Sequence, residues 1–300
     1  YARSADSVSG ATIGQDYVAF RYGESRLTFA VCDGVGQSFM GDLASRILGD
    51  GLVERLWTID APPDARAFSL AVTDALNALT ATGEREVAAF KLPERLPPIV
   101  VQALEMQRAY GSESMFVAGR IELGEPTPWL ALCWLGDSPV AAIDIDGELL
   151  DLGPQGHTSE RWNTSTGVKG EVHSWVGGAE RVARVMGYSD GLGFKQAPTD
   201  DDLARLVARW PLDPPDDDAS LFDVRLMEEP AIGLPAEPPE QGEVARAIAA
   251  DETRADALEP DLADTQPIVV PEEQRTPVSR LEPIDVQPSG EARVTGWRPL

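Results

Sequence analysis

Five aspartates stand where a carboxylate can do more than solubilise a surface. Asp16 follows Gln15 just ahead of an apolar stretch, and Asp33-Gly34 closes the run Thr28–Cys32. Asp137 sits within Gly136-Asp137-Ser138, Asp190 within Ser189-Asp190-Gly191, and Asp217 in the middle of Asp216-Asp217-Asp218. Singly, each is ordinary turn chemistry, because Asp hydrogen-bonds to its own backbone and Gly tolerates positive φ. Together, each falls at the end of a strand-like segment, where loops distant in sequence converge. The rest of the inventory limits what such a site could bind. His157 and His173 are the only histidines, so a histidine-based zinc site is not expected. Cys32 and Cys133 lie inside apolar stretches and read as buried free thiols rather than a disulfide. Any metal here is bound through oxygen, which points to magnesium, manganese or calcium.

The elements that must position these residues follow from periodicity and punctuation. Tyr17–Arg21 and Leu27–Cys32 read as paired strands around a turn at Gly23. Asp42–Leu56 and Asp64–Leu79 carry helical spacing, the second after Pro62-Pro63, and Pro98–Arg108 is a third helix. Four strands are expected close together, at Ser114–Leu123, Trp129–Leu135, Pro139–Ile145 and Leu149–Leu152. A loop rich in Gly, Ser and Thr covers 153–172. Strand Val182–Tyr188, helix Asp201–Trp210 and strand Ser220–Leu226 complete the order. Strands in hairpin runs and helices in clusters predict an α+β fold with antiparallel sheets rather than alternating βαβ units.

The bulk composition excludes several classes. With 300 residues and 43% apolar content there is material for a sizeable core. A net charge of −25 argues against nucleic acid and anionic membrane as partners. No apolar run approaches the roughly 20 residues of a membrane span, and the first residues are no signal peptide, so a cytoplasmic protein is expected. The chain starts at Tyr1 without a methionine, so residues upstream of it are expected. Composition changes near Met227. Residues 227–300 hold 16 acidic and 6 basic residues, 11 prolines and one aromatic, Trp297. Such a segment cannot bury enough surface to offset its ordering entropy. The expected organisation is therefore a folded unit over 1–227 and an acidic, largely disordered tail over 228–300. The tail could dock a partner.

The series Gln15-Asp16, Val31-Cys32-Asp33-Gly34-Val35-Gly36, Gly111-Ser112, Trp134-Leu135-Gly136-Asp137-Ser138, Tyr188-Ser189-Asp190-Gly191-Leu192 and Asp217-Asp218-Ala219-Ser220 resembles the protein phosphatase 2C family, the metal-dependent Ser/Thr phosphatases. The match spans about residues 8–227, and Gly41-Asp42-Leu43-Ala44-Ser45 is similar to the family's helix start. The resemblance implies two packed antiparallel sheets flanked by helices, an α-β-β-α sandwich. It also implies two Mn²⁺ or Mg²⁺ ions, with a third, looser ion in bacterial relatives. Asp33 would bridge the two metals, the Gly34 carbonyl would ligate one of them, and Asp190 and Asp217 would hold the second. Asp137, with Asp190, would take the third ion, and Asp16 would support the site through a metal-bound water. The implied activity is hydrolysis of phosphoserine and phosphothreonine by a metal-bridging hydroxide. Its substrates would be phosphorylated proteins, targets of a Ser/Thr kinase, and the enzyme a monomer.

Departures from the family pattern fall on the substrate side. Gln15 replaces a usual acidic residue, and Ala11 stands where the phosphate-gripping arginine belongs. Val35 replaces a histidine of eukaryotic members, as in bacterial relatives, and Pro139 replaces an arginine. They keep open an alternative, a catalytically weak pseudophosphatase that binds phosphoproteins or regulatory partners. His157, Arg161, Lys169 and His173 fall in the 153–178 segment, where the family carries a flap beside the site, and read either as substrate-selecting groups or as a solvated loop. Trp162, Trp175 and Trp210 read as packing residues.

Overall fold

The computed structural model describes residues 1–4, 7, 14–94, 96–124, 127–194, 196–210 and 215–226. Ala11 and the expected tail, 228–300, lie outside the described residues. In chain order the elements are β1 (Tyr17–Tyr22), β2 (Arg26–Gly34), α1 (Gly41–Thr58), α2 (Ala65–Ala89) and α3 (Pro98–Arg108), then β3 (Glu113–Glu122), β4 (Trp129–Leu135) and β5 (Val140–Asp144). There follow β6 (Arg161–Asn163), β7 (Gly167–Lys169), β8 (His173–Gly178), β9 (Val182–Tyr188), α4 (Asp200–Arg209) and β10 (Leu221–Arg225).

The strands form two antiparallel sheets. The larger has seven strands, in the order β1-β2-β3-β4-β8, with β6 on β3 and β7 on β6; the smaller has three, β10-β9-β5. Side chains alternate along each central strand because successive residues point to opposite faces. From the large sheet, Ala30, Cys32, Phe116, Ala118, Ala131 and Cys133 join Leu48, Leu52, Phe68 and Leu76 of α1 and α2 in one apolar cluster. The intervening Leu27, Phe29, Val117, Leu130, Leu132 and Trp134 instead meet Val140, Val185 and Val224 of the small sheet. The small sheet's other face, with Met186 and Tyr188, packs on Leu206 of α4 and on Trp210. The layers are thus helix, sheet, sheet, helix. This is the expected α+β sandwich.

Glycines allow close approach both of α1 to the large sheet and of side chains across neighbouring strands. A Cβ on Gly49 of α1 would lie 2.8 Å from Tyr17 Cδ1, and one on Gly119 of β3 would lie 2.7 Å from both Leu132 Cδ2 and Phe29 Cε1. Both thiols are free and buried, as expected. Among the described residues no helix is long and apolar enough to cross a membrane.

Three expectations need correction. Leu149–Leu152 is not a strand; Leu149 makes an isolated bridge to Ile143 and Leu150 N–H donates to Ala142 O (2.9 Å). The 153–172 loop contains the hairpin β6–β7, and the next segment forms β8, which pairs with β4 from Trp129↔Gly178 to Trp134↔His173. Helix α2 runs through Ala89 rather than ending at Leu79, because its last turns pack on that hairpin. A Cβ at Gly83 would stand 2.9 Å from Thr164 Cβ and 3.0 Å from Trp162 Cη2.

Candidate functional site

Antiparallel register carries the acidic residues to one edge of the sandwich. Tyr17 pairs with Cys32, which sets Asp16 beside the Asp33 end of β2. Gly34 pairs with Ser114 at the start of β3, and Phe116 pairs with Leu135, so the turn holding Asp137 emerges at the same edge. In the small sheet Tyr188 pairs with Leu221, placing Asp190, just after β9, across from Asp217, just before β10. Each reversal of direction turns a strand end into the neighbour's strand start. Carboxylates that alternate between following and preceding strands are therefore gathered.

Backbone packing fixes Asp33-Gly34. The Ser114 hydroxyl donates to Asp33 O (2.8 Å) and Val35 N–H donates to Glu113 O (3.0 Å). A Cβ on Gly34 would come within 2.6 Å of the Gly41 carbonyl carbon and oxygen and 2.7 Å of Gln15 O, so only glycine fits between β1 and the start of α1. The turn after β4 uses Gly136 at φ +94°, the left-handed region glycine favours. Asp190 opens a 3₁₀ turn, Asp190–Leu192, closed by Gly193 N–H on Asp190 O (2.8 Å). Asp217 accepts from Asp218 N–H (2.7 Å).

The carboxylates act on one another. Burial raises the Asp33 carboxyl well above the ordinary range, and repulsion from Asp16, Asp190, Asp217 and Asp137 adds to it. Asp190, a more open member of the group, is raised by desolvation and by Asp137 and Asp217, and eased by its proximity to Asp33 and by the Gly191 backbone. Several carboxylates within electrostatic reach of one another favour a bound proton or a cation among them. Asp16 is buried and pushed up to about 7, chiefly by desolvation; hydroxyls of Ser189 and Ser220 oppose the rise, the latter at 2.8 Å from Oδ2, while Asp218 and Asp217 add to it. Asp137 Oδ1 is buried without a hydrogen-bond partner.

This set suits a hard divalent ion by chemistry: all oxygen, several negative charges and one buried acceptor left orphaned. The described residues do not, however, place three His, Cys, Asp or Glu side chains around a single point as a finished coordination shell. The carboxylates converge within electrostatic reach rather than as a preset cage.

Solved structures of serine phosphatases are similar to this chain. They include a bacterial serine phosphatase (TM-score 0.47, 12% identity, covering 73% of this chain and 94% of that one). Serine/threonine phosphatase Stp1 from Staphylococcus aureus gives TM-score 0.47 at 13% identity over 72% of this chain and 90% of its own. RsbX in complex with magnesium gives 0.45 at 14% over 71% and 87%. No family model and no curated protein matches the chain.

All six residues singled out from the sequence, Asp16, Asp33, Gly34, Asp137, Asp190 and Asp217, thus lie at this edge. Gln15 does not point a free amide outward: Cβ atoms built on Gly36 and Gly41 would lie 3.3 and 3.1 Å from its Oε1, so its side chain covers the loop after Gly34. The 153–178 groups mostly bind their own surroundings. Arg161 pairs with Glu113 (3.0 Å), His173 with Glu160 (3.0 Å) and His157 with Ser159 (2.8 Å). Trp162 is fully buried, its indole N–H donating to Leu76 O (3.1 Å), and Trp175 and Trp210 also pack against apolar clusters. Sequence reasoning gave no role to Ser114, Ser189, Ser220 or Asp218, which hold the carboxylate-bearing loops. For Ser189 and Asp218 the available signal was their position immediately beside Asp190 and Asp217; Ser114 and Ser220 carried none.

Proposed function

We propose that this chain is a metal-dependent protein serine/threonine phosphatase acting on phosphorylated proteins, the products of a Ser/Thr kinase. The observation that carries the reading is the convergence of five dispersed aspartates at one sheet edge, in the order and strand context of the phosphatase 2C motifs. Asp33, Asp190 and Asp217, with the Gly34 carbonyl, would hold two Mn²⁺ or Mg²⁺ ions; Asp137, whose Oδ1 has no partner, would take a third. When bound, such ions supply a nucleophilic water at neutral pH and neutralise charge on the phosphoryl oxygens. The protein's own share is positional. Gly34 and Ser114 fix the main chain that presents Asp33. Ser220 donates to Asp16 (2.8 Å), holding it where it would support a metal-bound water. The protein would act as a cytoplasmic monomer, with the 228–300 arm available to dock a partner.

A second reading, a pseudophosphatase that binds phosphoproteins without turning them over, is favoured by Ala11 in place of a phosphate-gripping arginine and by Gln15 turned onto Gly36 and Gly41. Hydrolysis of para-nitrophenyl phosphate and of a phosphothreonine peptide in Mn²⁺ separates the two. Asp33→Ala or Asp190→Ala is expected to reduce turnover to about 1% or less, since even second-shell losses cost 10–100-fold. Absence of turnover by the unmodified chain with Mn²⁺ present would sink the enzyme reading.

A further inference from the structure

Asp218 is adjacent to Asp217, and its carboxylate is engaged by backbone donors. It is 4% exposed, and among the described residues its carboxylate accepts three hydrogen bonds: Ser4 N–H at 2.7 Å on Oδ1, and Gln15 N–H at 2.6 Å and Ser7 Oγ at 3.3 Å on Oδ2. All three partners donate. A carboxylate satisfies them together; an amide of the same shape would turn an NH₂ toward one backbone N–H. The packing is close, since a Cβ on Gly14 (φ +79°) would lie 2.8 Å from Asp218 Oδ2. On one side, Ala2 and Ala219 exchange backbone hydrogen bonds (2.7 and 2.9 Å), laying the first residues along the start of β10. On the other, Gln15 leads directly into Asp16.

The main chain of Asp218 also enters the neighbouring loop. Ser189 Oγ donates to Asp218 O (3.5 Å) and accepts from Ser220 N–H (2.9 Å), while Ser220 Oγ donates to Asp16. A Cβ on Gly191 would come within 2.0 Å of Asp218 O, so the Asp190 loop is pressed against this residue. One residue therefore touches the loops bearing Asp190, Asp217 and Asp16.

We infer that Asp218 is a positioning residue for the metal site: its carboxylate fixes the Gln15–Asp16 backbone against the Asp190 and Asp217 loops, and through that placement sets how tightly the site binds divalent cation. The inference rests on the proposed metal-dependent reading. It concerns metal affinity, because the Asp218 carboxylate is engaged by donors from Ser4, Ser7 and Gln15 and acts on the site through the backbone it fixes.

The test measures Mn²⁺ binding by isothermal titration calorimetry on the full chain, alongside Mn²⁺-dependent kcat and KM for para-nitrophenyl phosphate. Asp218→Asn is expected to weaken Mn²⁺ binding by about tenfold, in the range of second-shell changes, with kcat at saturating Mn²⁺ and KM each within about threefold of the unmodified chain. Ser220→Ala, which removes the other support of Asp16, is expected to shift Mn²⁺ affinity in the same direction and serves if Asp218→Asn does not fold. Mn²⁺ affinity within twofold of the parent in the folded variants would overturn the inference, as would kcat that stays depressed at saturating metal. A parent chain that binds Mn²⁺ without hydrolysing phosphate would overturn the phosphatase reading alone, and the affinity shift would still support the role of Asp218. A parent chain that binds no Mn²⁺ would overturn both.

Discussion

Asp16 makes the metal-free chain's stability depend on pH in an unusual direction. Its folded value of about 7 stands above the ordinary carboxylate value of 3.8, chiefly through burial. A raised folded value means that the stabilising contribution is complete below the unfolded value and is lost as pH rises through the folded one. At about 1.36 kcal/mol for each tenfold change in proton affinity, the full loss is roughly 4 kcal/mol. About 2 to 3 kcal/mol of this falls between pH 5 and 7.5. Asp33 and Asp190 are raised as well and add in the same direction. The carboxylates whose values are lowered by partners, such as Glu122 beside Arg120 and Arg26, act below this window and do not mask it. The assay is urea unfolding in chelator at intervals from pH 5 to 7.5, followed by tryptophan fluorescence, with Asp16→Asn in parallel. Stability of the parent chain should fall across the window, the Asn variant should have a measurably smaller slope, and saturating Mn²⁺ should flatten it. A metal-free stability that rises with pH, or an equal slope in Asp16→Asn, would show that Asp16 is not held neutral by burial.

Gly34→Ala is expected to cost at least about 1–3 kcal/mol of stability, the usual range for overpacking, because the colliding atoms are backbone of Gly41 and Gln15 and cannot rotate away; a urea midpoint equal to the parent's would contradict the close approach. Arg120→Met should cost about 3–5 kcal/mol. It removes a buried guanidinium that caps the end of α1 at Leu56 O (3.0 Å) and Ile59 O and that pairs with Glu122 (2.8 Å), so a thermal melt shifted by less than a degree would refute it. Thr199→Ala breaks the capping box at the start of α4, where Thr199 and Asp202 bond reciprocally. It should cost about 1 kcal/mol and leave Mn²⁺ affinity unchanged; altered Mn²⁺ binding would show that α4 is coupled to the acidic edge.

The sequence alone determined the local half of this protein. Residues 98–108 form the expected helix because Pro98 suits a first turn. β1 and β2 pair around Gly23 because an alternating pattern broken by a turn residue has few other solutions. The aspartates could be found because each sits at the end of a strand-like run, Asp33, Asp137 and Asp190 beside a glycine or serine. Whatever depended on distant partners was decided by tertiary structure. Residues 173–178, with two glycines, carry little strand propensity of their own; they extend because β4 offers them a free edge. The last ten residues of α2 stay helical because Gly83 lets the helix lie on Trp162 and Thr164. The same holds at the site. The motif resemblance singles out Asp217 from the run Asp216-Asp217-Asp218, but nothing in the sequence shows that Asp218 is buried and accepts from Ser4, Ser7 and Gln15. A carboxylate's chemistry is set by what surrounds it, and for these two residues only the packed chain supplies the surroundings.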